Sequence, residues 1–94
     1  MAFALFYTQE FPKRSIIEAL AGEGVKGNYF GRIDYVIQNN PSTIFILTND
    51  SSITVFYPRE TNLVKNDFVY VYAESQKYKD TNKTELFAYK VEKK

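Results

Sequence analysis

The feature that most restricts the fold of this 94-residue chain is a series of segments in which apolar and polar residues alternate. Clusters of Asn, Asp, Ser and Pro separate these segments and favour tight turns. The clearest segment, 67–74, sends small aliphatic side chains to one face and aromatic rings to the other. Five such strands at about ten-residue spacing predict an all-β meander that closes as a barrel or a sandwich. They are 29–38, 43–48, 53–57, 67–74 and 84–92.

The length of the first segment favours the barrel. We expect Tyr29, Gly31, Ile33, Tyr35 and Ile37 to share one of its faces. A strand that belongs to both halves of a small barrel must be long and bent, and Gly31 supplies a tolerant position for the bend.

Residues 1–24 are predicted to form a short strand and a short helix that pack on a barrel of residues 25–94, all within one domain. Ser15 and Glu18 have the spacing of a capping box, and Gly22 is a natural stop for the helix. Residues 22–27 also read G-x-G-x-x-G. A dinucleotide fingerprint needs a strand before these glycines and a helix after them, and here the order is reversed. The glycines therefore predict a turn.

The chain contains no cysteine and no histidine. This excludes disulfides, thiolate and imidazole metal ligands, a cysteine nucleophile and the commonest general base. The carboxylates form no convincing pair across a cleft. We therefore expect no enzymatic activity, no cofactor and no metal. The apolar run 2–7 lacks a basic leader and is too short to span a membrane, so we expect an intracellular protein with no membrane contact.

The stretch from Val25 to Val91 resembles the OB-fold single-stranded nucleic-acid-binding domains of replication protein A and related single-stranded DNA-binding proteins. The residues that carry the resemblance are Phe30-Gly31-Arg32-Ile33, Phe45-Ile46-Leu47, Ile53-Thr54-Val55, Leu63 to Val71, and Leu86-Phe87-Ala88. Such domains often have a helix between the third and fourth strands, whereas Pro58 to Asn66 leaves room for a turn at most. The resemblance implies a five-stranded OB-type Greek-key barrel, here with a short N-terminal helix, that binds single-stranded nucleic acid.

Single-stranded nucleic acid is held by aromatic faces on which bases stack and by cations that contact phosphates. The resemblance places stacking residues on the third strand, where Phe56 points outward if Val55 points inward. From Lys77 onward the chain has six lysines against three acids, whereas the preceding part has six bases against eight acids. The predicted interface for single-stranded DNA, with RNA as an alternative, consists of Arg32, Phe56, Lys77, Tyr78, Lys79 and Lys83, together with Phe30 and Ile46.

A second hypothesis is an interaction subunit of a replication- or telomere-type complex that binds little nucleic acid itself. If the last two strands pair, Tyr70, Tyr72, Phe87 and Tyr89 form an outward aromatic patch. Exposed apolar patches often mark partner surfaces, and the chain lacks a strongly basic groove. The expected partner is a second copy of the chain or a larger complex, with segment 3–7 covering the patch in its own chain or a neighbour's.

Overall fold

A computed structural model gives the structure of residues 11–77 and 82–94. Within these residues one helix precedes five strands, and neighbouring strands close a barrel in the order β1-β2-β3-β5-β4. The elements are α1 (Ile16–Leu20), β1 (Lys26–Gln38), β2 (Thr43–Thr48), β3 (Ser52–Tyr57), β4 (Phe68–Lys77) and β5 (Thr84–Lys93). The predicted five-stranded barrel with a short preceding helix is confirmed. No helix in the described part of the chain has the length and apolar character needed to cross a membrane.

Strand β1 belongs to both halves of the barrel, as its length predicted. Its first half, Lys26–Arg32, pairs with β4, and Arg32 also begins the pairing with β2. The pairing of β1 with β2 shifts in register between Ile33 and Tyr35. Beyond this irregularity, the residues of β1 that face the core are displaced by one position along the strand. Tyr35 and Ile37 are consequently 51% and 54% exposed. The expectation that they share one face of β1 with Tyr29, Gly31 and Ile33 was wrong.

Gly31 lies close to the backbone of β2. A Cβ atom at this position would lie 2.6 Å from the carbonyl oxygen of Thr48 and 3.1 Å from the side chain of Leu47. Glycine is therefore required here for strand approach, and the irregularities in the β1–β2 register lie further along the strand. A bend of β1 at Gly31 remains a prediction.

The barrel interior is filled by inward side chains from all five strands. Tyr29, Phe45, Val55, Val71 and Leu86 are each fully buried. The Tyr29 hydroxyl donates to the carbonyl oxygen of Val25 at 2.9 Å, and burial raises its pKa to about 12.

Helix α1 adds Ile16 and Ala19 to the same core. The predicted capping box is present: the Glu18 amide donates to Ser15 Oγ at 3.2 Å, and the Ser15 amide donates to Glu18 Oε1 at 3.0 Å. This backbone hydrogen bond lowers the pKa of Glu18. The carboxylate of Asp50, in the β2–β3 turn, accepts from the amides of Ile16 and Ile17. The helix is therefore fixed against the end of the barrel at which this turn lies.

The glycine-rich loop connects α1 to β1 in the predicted order of helix, glycines and strand. Gly24 has a φ of +73°, a conformation that side chains other than glycine rarely adopt. Its amide donates to the carbonyl oxygen of the buried Ser75 at 2.7 Å, and the Val25 amide donates to Ser75 Oγ at 2.9 Å. The loop is thus a structural turn held by β4.

Candidate nucleic-acid interface

Among the outward-facing rings of the described strands, two groups are carried by different strand pairs. We call the first the β1–β4 surface, which consists of Phe30, Arg32, Phe68, Tyr70 and Lys94. We call the second the β3–β5 surface, which consists of Phe56, Phe87 and Tyr89. Both follow from the period of two along a strand, because the residues beside them in sequence point into the core.

Three adjacent rings make up the aromatic part of the β1–β4 surface. The register places Phe30 opposite Tyr70, with ring centroids 4.9 Å apart. The ring of Phe68 lies 6.0 Å from that of Phe30, and the two planes are nearly parallel at 16°. Phe68 is 49% exposed, whereas Phe30 and Tyr70 are partly buried. Together the rings form a continuous outward platform of the size on which a base can stack.

Two cations lie against this platform. Lys94 Nζ is 5.4 Å from the ring centroid of Phe30, and the Lys94 backbone amide donates to the carbonyl oxygen of Phe68 at 2.8 Å. Arg32 lies opposite Phe68, donates to Asn66 Oδ1 at 2.9 Å and approaches Asp34 at 3.9 Å. An exposed ion pair of that length contributes little, so the guanidinium is able to exchange Asp34 for a phosphate.

The β3–β5 surface is built around one ring pair. Phe56 and Phe87 are paired across the parallel strands, with centroids 5.7 Å apart. Tyr89 lies 5.5 Å from Phe87 and 5.7 Å from Phe11, which also contacts Tyr72 at 6.1 Å. Much of this aromatic area is therefore in contact with other parts of the chain.

The residues predicted to bind nucleic acid are divided between the two surfaces. Arg32 and Phe30 lie on the β1–β4 surface and Phe56 lies on the β3–β5 surface. On β2, Thr48 pairs with Arg32 and Ile44 pairs with Phe56. Because these β2 residues are four positions apart, Phe56 is displaced from Arg32 by about 13 Å along the strand.

The other predicted interface residues lie around β2 and the loop that joins β4 to β5. Ile46 is on the outer face of β2, opposite Thr54. Lys77 ends β4 and Lys83 directly precedes β5, and both side chains are exposed. Tyr78 and Lys79 lie outside the described residues. These assignments remain predictions.

The residues predicted to form a partner patch all lie on β4 and β5, and their role remains a prediction. Strands β4 and β5 do pair, as that hypothesis required. Tyr70 packs against Phe30 and lies two residues from Tyr72 on the outer face of β4, and Tyr72 is linked through Phe11 to Tyr89 and Phe87. Sequence reasoning missed Phe68 and Lys94 as members of an interface. Phe68 is two residues before Tyr70 in segment 67–74 and so faces outward with it, which made its exposure predictable. Its proximity to Phe30 depends on the β1–β4 register.

Comparison with known proteins supports the fold. No family model and no curated protein matches the chain. Among solved structures, it is similar to the crystal structure of a chain assigned as an aspartyl-tRNA synthetase from Leishmania major Friedlin, with a TM-score of 0.71 and 13% identity. The match covers 99% of this chain and 25% of that one, so this chain spans about a quarter of that protein's length. At this identity the similarity defines the fold, an OB-type barrel with a short preceding helix.

Proposed function

We propose that this OB-type domain binds single-stranded nucleic acid through the β1–β4 surface. The observation that carries the proposal is the combination of three adjacent outward rings with two flanking cations. Bases stack on Phe30, Phe68 and Tyr70, while Arg32 and Lys94 contact phosphates. Base stacking on protein rings is worth about 1–3 kcal/mol per base, so two stacked bases would supply most of the affinity.

The type of contact also determines the expected specificity. Rings contact base faces, which all bases possess, and cations contact phosphates, which carry no sequence information. We therefore infer binding with little sequence preference to both DNA and RNA strands. The similar structure's name identifies an enzyme that acts on tRNA, and this supports nucleic acid as the class of ligand. We propose a binding domain without catalytic activity of its own.

The experiment is a fluorescence anisotropy titration of labelled oligo-dT and oligo-U at low salt. Phe68→Ala removes the most exposed ring of the platform and is expected to weaken binding about 5- to 150-fold, which corresponds to one stacked base. Phe56→Ala is the matched control on the β3–β5 surface and is expected to leave affinity within about twofold, since that ring is outside the proposed path. Absence of binding by the wild-type protein at low salt would overturn the proposal. Loss of binding in Phe56→Ala alone would move the interface to the β3–β5 surface.

The second candidate function is that of an interaction subunit. It is favoured by three exposed apolar side chains, Tyr35, Ile37 and Val64, which are 51%, 54% and 57% exposed and line one shallow groove. A protein partner packed on this groove would cover them. Sedimentation velocity of the wild type and of Ile37→Asp tests this alternative. A monomer in both cases, together with nucleic-acid binding by the isolated protein, would favour the first function.

A further inference from the structure

A pocket opens beside the β1–β4 surface, between the residues that precede α1 and the first half of β1. Its volume is about 250 Å³, and its lining residues are Lys13, Arg14, Asn28, Phe30, Asn49 and Tyr70. Pockets for drug-sized ligands usually measure about 300–1,000 Å³, so this one has room for a smaller group. Two of the stacking rings, Phe30 and Tyr70, form part of its wall. The pocket is therefore continuous with the platform proposed to bind the strand.

The basic wall of the pocket is held by backbone hydrogen bonds. The Asn28 amide donates to the carbonyl oxygen of Pro12 at 2.9 Å, and the Arg14 amide donates to the carbonyl oxygen of Asn28 at 3.2 Å. These bonds form a short parallel bridge between Lys13 and Asn28. The bridge keeps two consecutive basic residues beside the rings of β1 and β4.

Arg14 is anchored in a way that leaves hydrogen-bond donors for a ligand. Its Nε donates to the carbonyl oxygen of Lys26 at 2.6 Å, and one terminal nitrogen lies 3.4 Å from Glu18. Within the described chain these contacts use two of the five N–H donors of a guanidinium. A Cβ at Gly27 would lie 2.7 Å from Arg14 Cγ, so glycine at that position lets the arginine side chain lie flat against β1. The cation is thus positioned by its stem and by one side of its head group.

Asn28, which also lines the pocket, has a side-chain oxygen whose hydrogen-bonding capacity the fold does not satisfy. Asn49 Nδ2 donates to the carbonyl oxygen of Phe30 at 2.9 Å, which fixes the orientation of that amide. Asn28 Oδ1 is buried and has no hydrogen-bond partner in the described part of the chain. Buried polar atoms are normally paired, because an unpaired one carries a desolvation penalty. A donor from a ligand would remove that penalty.

We infer that this pocket binds one nucleotide of the strand and prefers a base with an exocyclic amine. The phosphate lies against Lys13 and Arg14, and the base packs against Phe30 and Tyr70. Asn28 Oδ1 is shielded in the free protein, so its side chain turns toward the pocket and accepts from the amine when the base binds. Adenine, cytosine and guanine carry such an amine, whereas thymine and uracil do not. The inference rests on the proposed function for the remainder of the strand. It adds one base preference to an interface that otherwise lacks any.

The test uses mononucleotides, which address the pocket without the rest of the strand. Backbone and asparagine side-chain amide signals are followed by ¹⁵N NMR during titration with deoxyadenosine monophosphate, with the matched purine nucleotide that lacks the amine, and with inorganic phosphate. We expect deoxyadenosine monophosphate to shift the side-chain signals of Asn28 and Asn49. We also expect it to bind about 5- to 10-fold more tightly than the purine analogue, the value of one hydrogen bond. Equal binding of all three ligands would overturn the inference, because it would indicate a phosphate contact alone.

Two variants separate the parts of the site. Asn28→Leu removes the amide at similar volume and is expected to abolish the difference between the two purine nucleotides. Lys13→Gln changes an exposed side chain whose loss leaves the fold intact, and is expected to weaken both nucleotides equally, by about 3- to 10-fold. A persistent adenine preference in Asn28→Leu would contradict the assigned acceptor.

Failure of this inference is distinguishable from failure of the proposed function. If mononucleotides leave the Asn28 and Asn49 signals unchanged while oligonucleotide binding remains sensitive to Phe68→Ala, the pocket inference fails and the proposed function stands. If mononucleotides bind with the expected preference but oligonucleotides bind no more tightly, the proposed platform fails.

Discussion

The salt dependence of oligonucleotide binding measures how many cations contact phosphates. Substitution of Lys94 is the most direct test of the number that the structure predicts. The β1–β4 surface and its pocket together present four cations, Arg32, Lys94, Lys13 and Arg14. For single strands, the slope of log K against log salt is about −0.7 for each phosphate neutralised. Four contacts therefore predict a slope of about −2.8 for the wild type, and Lys94→Gln is expected to reduce it to about −2.1.

Lys93 provides a matched control for this substitution. It is adjacent in sequence and carries the same charge, but its Nζ lies 3.4 Å from Asp67. Lys94 instead lies 5.4 Å from the Phe30 ring centroid, on the proposed path of the strand. Lys93→Gln is therefore expected to leave the slope nearly unchanged although it alters the net charge equally.

The assay is an anisotropy titration of the wild type and both variants between about 50 and 200 mM salt, the range over which counterion release has a large effect. Equal slopes for Lys94→Gln and Lys93→Gln would refute the reasoning, because the effect would then be one of overall charge. A wild-type slope near zero would refute it as well, since no phosphate would be neutralised. Urea unfolding of each variant checks that the fold is retained.

Three further predictions concern stability and are measured by urea unfolding. Gly31→Ala is expected to destabilise the protein by about 1–3 kcal/mol, because its Cβ would contact the Thr48 carbonyl oxygen at 2.6 Å. Ser15→Ala is expected to cost about 1 kcal/mol through loss of the helix cap. Burial raises the pKa of Glu85, so its ionisation opposes folding, and Glu85→Gln is expected to stabilise the protein near neutral pH.

Each of these predictions has a control or a contrary result. A Cβ at Gly22 would lie 3.0 Å from the Val25 side chain, a longer contact than the 2.6 Å to a backbone oxygen at Gly31, so Gly22→Ala is expected to be milder than Gly31→Ala. The reverse order would contradict the close-approach argument. Ser15→Thr keeps the capping oxygen and is expected to retain most of the stability that Ser15→Ala loses. The pKa of Glu85 is higher in the folded protein than in the unfolded chain. Its contribution to stability is therefore fully present below the pKa of the unfolded chain and is lost as the pH rises through the pKa of the folded protein. The advantage of Glu85→Gln should therefore disappear in acid, and an advantage that persists there would have another cause.

The strands, the capping box and the glycine turn could be predicted from the sequence because each depends on residues close together in the chain. Phe56 was predicted to be outward from the inward position of Val55, and the structure places it there. The exposure of Tyr35 and Ile37 could not be predicted in the same way. It follows from the irregularity in the β1–β2 register, and the register is set by the partner strand.

The candidate site was less predictable than the fold for a related reason. Phe30 and Phe68 become neighbours only through the β1–β4 register, and Lys94 reaches them only because β5 extends to its end beside β4. The pocket depends on a bridge between Lys13 and Asn28, which no local sequence pattern predicts. Long-range pairing thus determines which outward side chains cooperate.

The parallel contact between β3 and β5 has a consequence for the motions of the barrel. It joins only Val55 with Leu86 and Phe56 with Phe87, and it is the shortest of the strand pairings in the described chain. Local opening requires least free energy where the fewest backbone hydrogen bonds must break. Amide protons along this junction should therefore exchange with solvent before those of the other pairings. Opening at this junction would convert the ring into one curved sheet with β1 at its centre.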